Sequence, residues 1–225
     1  MLKSIKISGF ALLLLSAALN AAAQKKITQG TITYTVTHNL TEAQKAKTDI
    51  AKLPLEWEAK FNDSLSSTKI KRGSVIFDII SNHRDKTRFF LIDMVLLGRQ
   101  YGVKQSKEEV SKLENKPSEN IEFKETKETQ IIAGYQAHKY LYTDNKGVNR
   151  EVWATKEVVL PSFGIDKTFQ GLNAVPLKYT VLQTGIETTR TLKSIVESNV
   201  NIPTSIPDEY ELTTMEEITK MNSKG

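Results

Sequence analysis

Between Glu128 and Glu157 the chain reads ETQIIAGYQAHKYLYTDNKGVNREVWATKE. Two runs of alternating apolar and polar side chains are joined by Asp144-Asn145-Lys146-Gly147. Alternation sends successive side chains to opposite faces of a strand, and Asn and Gly accept the backbone angles of a tight turn. The stretch therefore predicts a β-hairpin with arms 135–143 and 148–155. In the first arm Tyr135, Ala137, Lys139 and Leu141 share a face opposite His138, Tyr140 and Tyr142. The second arm sets Val148, Arg150, Val152 and Ala154 against Glu151, Trp153 and Thr155. Apolar groups stand on both faces, so this hairpin belongs to a larger sheet.

The flanks carry the same signal. Downstream, 177–182, 187–192 and 195–200 read as three strands in meander order, with Gly185 at the first turn. Upstream, GTITYTVTH (30–38) sets Ile32, Tyr34 and Val36 against four threonines, a strand with one dry and one wet face. Segments 57–62 and 68–72 read as short strands around Asp63-Ser64. SVIFDII (74–80) and TRFFLIDMVLL (87–97) carry apolar residues on both parities, which suits strands covered on both faces. Residues 121–132 add another strand. Segment 40–53, with Thr41 as cap, and a helix starting at Thr213 or Thr214 are the short helical pieces, and 105–119 reads as an exposed loop or short helix. Pro161–Pro176, with Phe163, Phe169, Leu172 and Val175, is a connection expected to pack down onto the sheet. About ten strands joined by tight turns predict an antiparallel sheet, and no strand alternates with a long helix as an α/β fold requires.

Residues 1–23 have the three parts of a secretory signal peptide: Lys3 and Lys6, an apolar run Phe10–Leu19, and Ala21-Ala22-Ala23 before Gln24. The apolar run is half the ~20 residues that span a bilayer. The reading is a signal peptide at 1–23 and one domain at 24–225, periplasmic or secreted and not membrane-spanning after cleavage. With no Cys anywhere, a lipid-modified cysteine, disulfides, thiol catalysis and soft metal sites are excluded. Cleavage removes two of 31 basic side chains and none of 26 acidic ones, so the net charge falls from +5 to +3. The charges are interspersed, which argues against nucleic acid as a partner.

A resemblance rests on Glu128-Thr129, Ile132, Gly134-Tyr135, Lys139, Gly147, Val152-Trp153 and Thr155, on FQGLNAVPLKY (169–179), and on IPDEY (206–210) with MEEI (215–218). These stretches resemble an uncharacterised family of Gram-negative envelope proteins. The resemblance implies a mainly β, lipoprotein-carrier-like fold: a strongly curved antiparallel sheet forming an unclosed barrel around an apolar cavity. It implies no reaction. Members of that family often carry a Cys where Ala137 stands here.

Candidate chemistry is thin. His38, His83 and His138 show no metal-ligand spacing, and no nucleophile elbow or phosphate loop occurs, so neither metal nor cofactor is expected. Asp78 and Asp93 interrupt the most hydrophobic strands. Such an acid is either catalytic, as in a hydrolase, or tied into the structure by a partner such as Arg84, Arg88 or Arg99. The expected function is noncatalytic: the concave face shelters a lipid or acyl chain lined by Tyr34, Trp57, Phe77, Phe89, Tyr135, Trp153 and Tyr179. Lys139 and Arg150 would meet a polar head group at the rim. The alternative is an envelope interaction protein without a small ligand, using a sheet edge or outer face.

Overall fold

The computed structural model describes residues 24–114, 121–161, 167–183 and 185–222. The signal-peptide reading at 1–23 and Phe163 lie outside the described residues. The strands are β1 (Lys25–Lys26), β2 (Gly30–Asn39), β3 (Glu56–Phe61), β4 (Leu65–Arg72), β5 (Val75–Asn82), β6 (Thr87–Met94), β7 (Arg99–Gln105), β8 (Lys124–Ile132), β9 (Tyr135–Thr143), β10 (Asn149–Thr155), β11 (Val158–Val159), β12 (Val175–Gln183), β13 (Ile186–Glu197) and β14 (Glu211–Thr213). Among the described residues there are three short α-helices, α1 (Glu42–Lys45), α2 (Lys107–Glu114) and α3 (Met215–Asn222). None of the described helices is long and apolar enough to cross a membrane.

One sheet holds twelve strands in the order β14-β7-β6-β5-β4-β3-β2-β13-β12-β10-β9-β8. Only β14, parallel to β7, departs from the antiparallel pattern. Its two edges, β14 and β8, do not pair with each other, so the sheet is not closed into a barrel. Register shifts between Trp153 and Ala154 and between Leu192 and Ser194 add local bends. The β8 edge carries KETKETQII with a register shift between Glu125 and Thr129. Charges and irregularity of this kind keep a long edge from recruiting another strand.

The inner face is filled by the chain itself. Over β2, β3, β9, β10, β12 and β13, Ile32, Tyr34, Phe61, Val152, Leu177 and Tyr179 form one cluster with Ile27, Leu160, Phe169 and Leu172 from the connecting segments. In the described part of the connection before β12, Phe169, Leu172 and Val175 thus pack down. Over β4–β6, Leu65, Ile80, Phe89 and Leu91 close around Ile202, with Val200, Ile206 and Tyr210 against them. Ile202 and Ile206 each precede a proline, and that sequence disfavours helix and keeps this segment extended. On the other face of β5–β7, Ile92, Tyr101 and Val103 meet Ile218 of α3, with Phe77 and Phe90 packed alongside. The two parities of strands β5 and β6 are therefore both covered.

Three details differ from the sequence reading. In place of two strands at 187–192 and 195–200 there is one bulged strand, β13, which ends at Glu197, because the shift at Leu192–Ser194 resets the alternation. Residues 99–105 form a full strand where Gly102 obscured the pattern. The tail of the 87–97 run leaves the sheet at Met94 and turns through a 3₁₀ segment, Val95–Leu97, closed by Gly98 at φ 60°.

Candidate functional site

The opening hairpin forms as its sequence dictates, and it lines a surface pocket beside its turn. Its turn is organised by Asp144, whose carboxylate accepts the backbone N–H groups of Lys146 at 3.0 Å and Val148 at 2.9 Å. Gly147 takes the positive φ of 76° that the turn requires. Arg150 then reaches back to Asp144 at 2.9 Å and across β12 to Glu187 on β13 at 2.7 Å. Those contacts hold the Asp144 carboxyl below its ordinary range, with the Arg150 hydrogen bond first and the turn amides next. They hold the Arg150 guanidinium charged.

Above this network lies an open pocket of about 830 Å³. Ile121 and Leu141 are its apolar lining, with Tyr142 reaching it from the core; Lys124, Asn145, Asn149 and Arg150 line it together with the carboxylates Glu122 and Asp144. A smaller pocket of about 270 Å³ lies between Val158–Leu160 and Phe169–Val175. Of the rim residues expected from sequence, Arg150 lines the larger pocket. Lys139 does not: it bridges Glu151 at 3.0 Å and Glu128 at 3.3 Å, with its ammonium 5.7 Å from the Trp153 ring centroid.

Five of the seven expected aromatics, Tyr34, Trp57, Tyr135, Trp153 and Tyr179, gather in or against one core cluster. Tyr34, Trp57 and Tyr179 meet edge to face, with centroids 5.6 and 5.7 Å apart, and Phe169 and Tyr142 continue the stack. The Tyr34 hydroxyl donates to the Pro176 carbonyl at 2.7 Å. Tyr135 and Trp153 pack at the margin of this cluster. Phe89 belongs to the β4–β6 inner cluster and Phe77 to the opposite face of β5. None of the seven lines either pocket.

Asp78 and Asp93 are tied into the structure. Asp78 accepts the Ser67 hydroxyl at 2.6 Å, and Asp93 accepts Gln100 at 2.9 Å and the Tyr210 hydroxyl at 2.8 Å. Arg88 and Arg99, considered as their partners, donate to Ser81 and Tyr101. Burial, with Asp93 next, drives the Tyr210 phenol well above its ordinary value. No group of three His, Asp or Glu residues suited to a metal occurs among the described residues.

Two features escaped the sequence reading. Arg190, 9% exposed, lies under Trp57 and Tyr179, 5.1 and 5.9 Å from their ring centroids, and donates to the Tyr179 hydroxyl at 3.3 Å. Its signal was available: Arg190 shares parity with Thr188 and Leu192 on the dry face of β13. Ser66 stands 2.7 Å from His83, a nucleophile–base distance, but neither pocket reaches the pair.

No family model matches the sequence, and no curated protein matches it. Among solved structures the chain is similar to PNGF-II in two crystal forms. One has 15% identity and a TM-score of 0.44, covering 86% of this chain and 32% of that one; the other has 16%, 0.46, 88% and 33%. The chain thus spans about a third of the length of PNGF-II. It is also similar to LprF from Mycobacterium bovis, with 12% identity, a TM-score of 0.37, and coverage of 87% and 97%.

Proposed function

We propose that the protein is a noncatalytic binding protein, exported through its N-terminal segment to the periplasm or the exterior. It holds an amphipathic ligand, a lipid or acyl chain with a polar end, at the rim of its unclosed sheet. The observation that carries this reading is the 830 Å³ pocket beside the β9–β10 turn. Its size lies within the ~300–1,000 Å³ of small-molecule sites, and its wall joins an apolar patch to convergent polar groups. An acyl segment would cover Ile121, Leu141 and Tyr142, and burial of its surface would drive binding at about 25 cal/mol per Å². Asn145, Asn149 and Lys124 would meet the polar end. Arg150, held by two carboxylates, would fix the pocket floor rather than bind as a free cation. Asp78 and Asp93 do not line this pocket.

Fluorescence titration with cis-parinaric acid tests the reading. Leu141 is 43% exposed, so Leu141→Glu should leave the fold intact while placing a charge on the apolar wall. Saturable binding by the wild type, weakened about tenfold or more in L141E, is expected. No saturable binding, or equal binding by L141E, would refute it.

A further inference from the structure

Three consecutive aliphatic side chains stand in solvent at one end of the sheet. Val95, Leu96 and Leu97 are 58%, 83% and 68% exposed. They occupy the 3₁₀ turn between β6 and β7, and that turn is built rather than loose. The Val95 N–H donates to the Ser74 carbonyl at 3.0 Å, the Gly98 N–H donates to Val95 at 3.3 Å, and Gly98 closes the turn in the left-handed conformation. Ser74 belongs to the adjoining β4–β5 turn, which places exposed Lys71 and Arg72 beside the tip. Arg99 follows it directly. Lys71 and Arg72 enter no ion pair among the described residues; Arg99 donates to the Tyr101 hydroxyl and also feels the charge of Glu211, the β14 residue paired with Tyr101.

We infer that this tip docks the protein on an anionic lipid surface, with Leu96 and Leu97 entering the headgroup–acyl boundary and Lys71, Arg72 and Arg99 facing lipid phosphates. The shape selects this occupant over a protein. Stable protein interfaces bury about 1,200–2,000 Å² of matched surface, far more than a protruding three-residue turn offers. A bilayer interface instead accepts a small apolar wedge, and each nearby cation adds affinity for anionic headgroups. The inference stands apart from the pocket reading, since the tip is built by β4–β7 and the pocket by β8–β10 and their turn.

The chain contains no cysteine, so Leu96→Cys provides a unique attachment point for the environment-sensitive fluorophore NBD, with Arg84→Cys on the β5–β6 turn as control. Labelled full-length chains are mixed with phosphatidylcholine vesicles with or without phosphatidylglycerol. The account expects the label at 96 to brighten and shift to the blue with anionic vesicles, far less with neutral ones, and the label at 84 to stay unchanged. Charge reversal by Lys71→Glu with Arg72→Glu should weaken the response about tenfold or more, and added salt should weaken it further. A silent label at 96, equal responses at 96 and 84, or a response indifferent to lipid charge would overturn the inference. A label at 96 that responds only to an added envelope protein fraction, and to no vesicle, would also overturn it in favour of a protein partner.

Discussion

Replacing Gly102 with alanine places a methyl group where the Ile206 side chain already sits. A Cβ built on Gly102 would lie 2.4 Å from Ile206 Cγ2, 3.1 Å from its Cδ1 and 3.4 Å from its Cβ. Ordinary carbon–carbon contact is about 3.5–4.0 Å, so the neighbour has to retreat by more than about 1 Å. Ile206 cannot do so by a rotamer change alone, because its branch at Cβ stiffens χ1 and the following proline restricts its backbone. The extended segment over β5–β7 has to lift, disturbing Ile202 and Tyr210. Overpacking of this kind costs about 1–3 kcal/mol. For a domain of this size that lowers Tm by roughly 2–4 °C per kcal/mol. Ile206→Ala in the G102A background removes the clashing methyls, so the double variant should be more stable than the summed single effects by about 1 kcal/mol or more. Urea unfolding of the four proteins measures this coupling. A G102A protein within about 0.5 kcal/mol of wild type, or strictly additive effects, would refute the claim that the segment is seated on the β7 backbone.

Two further predictions concern pH. The Tyr210 phenol is raised in the folded state by burial and by Asp93, so its contribution is fully present below the ordinary tyrosine value of 10.0 and is lost as pH rises beyond it. Stability measured by urea unfolding should fall above pH 10 in the wild type, and Tyr210→Phe should remove that component while costing about 1–2 kcal/mol at neutral pH. Asp144 moves the other way: its carboxyl is depressed, so its contribution is present above the ordinary 3.8 and is lost as pH falls through the lower folded value. Hydrogen exchange of the Lys146 and Val148 amides should therefore accelerate on acidification from the ordinary carboxylate range downward, beyond the intrinsic trend, and the same amides should already be fast at neutral pH in Asp144→Ala.

The elements were legible where period-two alternation meets tight turns. The β9–β10 hairpin and β2 follow directly from their patterns, and the apolar residues on both parities of β5 and β6 reported two covered faces. Alternation did not report breaks in register. The bulge at Leu192–Ser194 shifts parity within β13 and makes one strand read as two. Gly102 hid β7 because a residue without a side chain carries no pattern, and the reason for that glycine lies over a hundred residues away at Ile206. The candidate site was read less completely. Aromatics in strands reveal which side is dry, but not whether the dry space is empty. Here Ile27, Leu160, Phe169 and Leu172 fill it from segments whose packing depends on tertiary contacts. Arg150 shows in the sequence as a cation beside Val148, Val152 and Ala154; the pocket around it depends on Lys124 of β8 and Ile121 from the segment before that strand.

The central claim is that the inner face is packed by the chain's own segments and that ligand room lies at the rim. Amide chemical shifts recorded by NMR while a fatty acid is titrated test this most directly. The account predicts perturbations centred on Leu141, Tyr142, Asn145 and Asn149, with the amides of Tyr34, Trp57 and Tyr179 unmoved. Perturbations centred instead on Tyr34, Trp57 and Tyr179, with the hairpin turn silent, would contradict it.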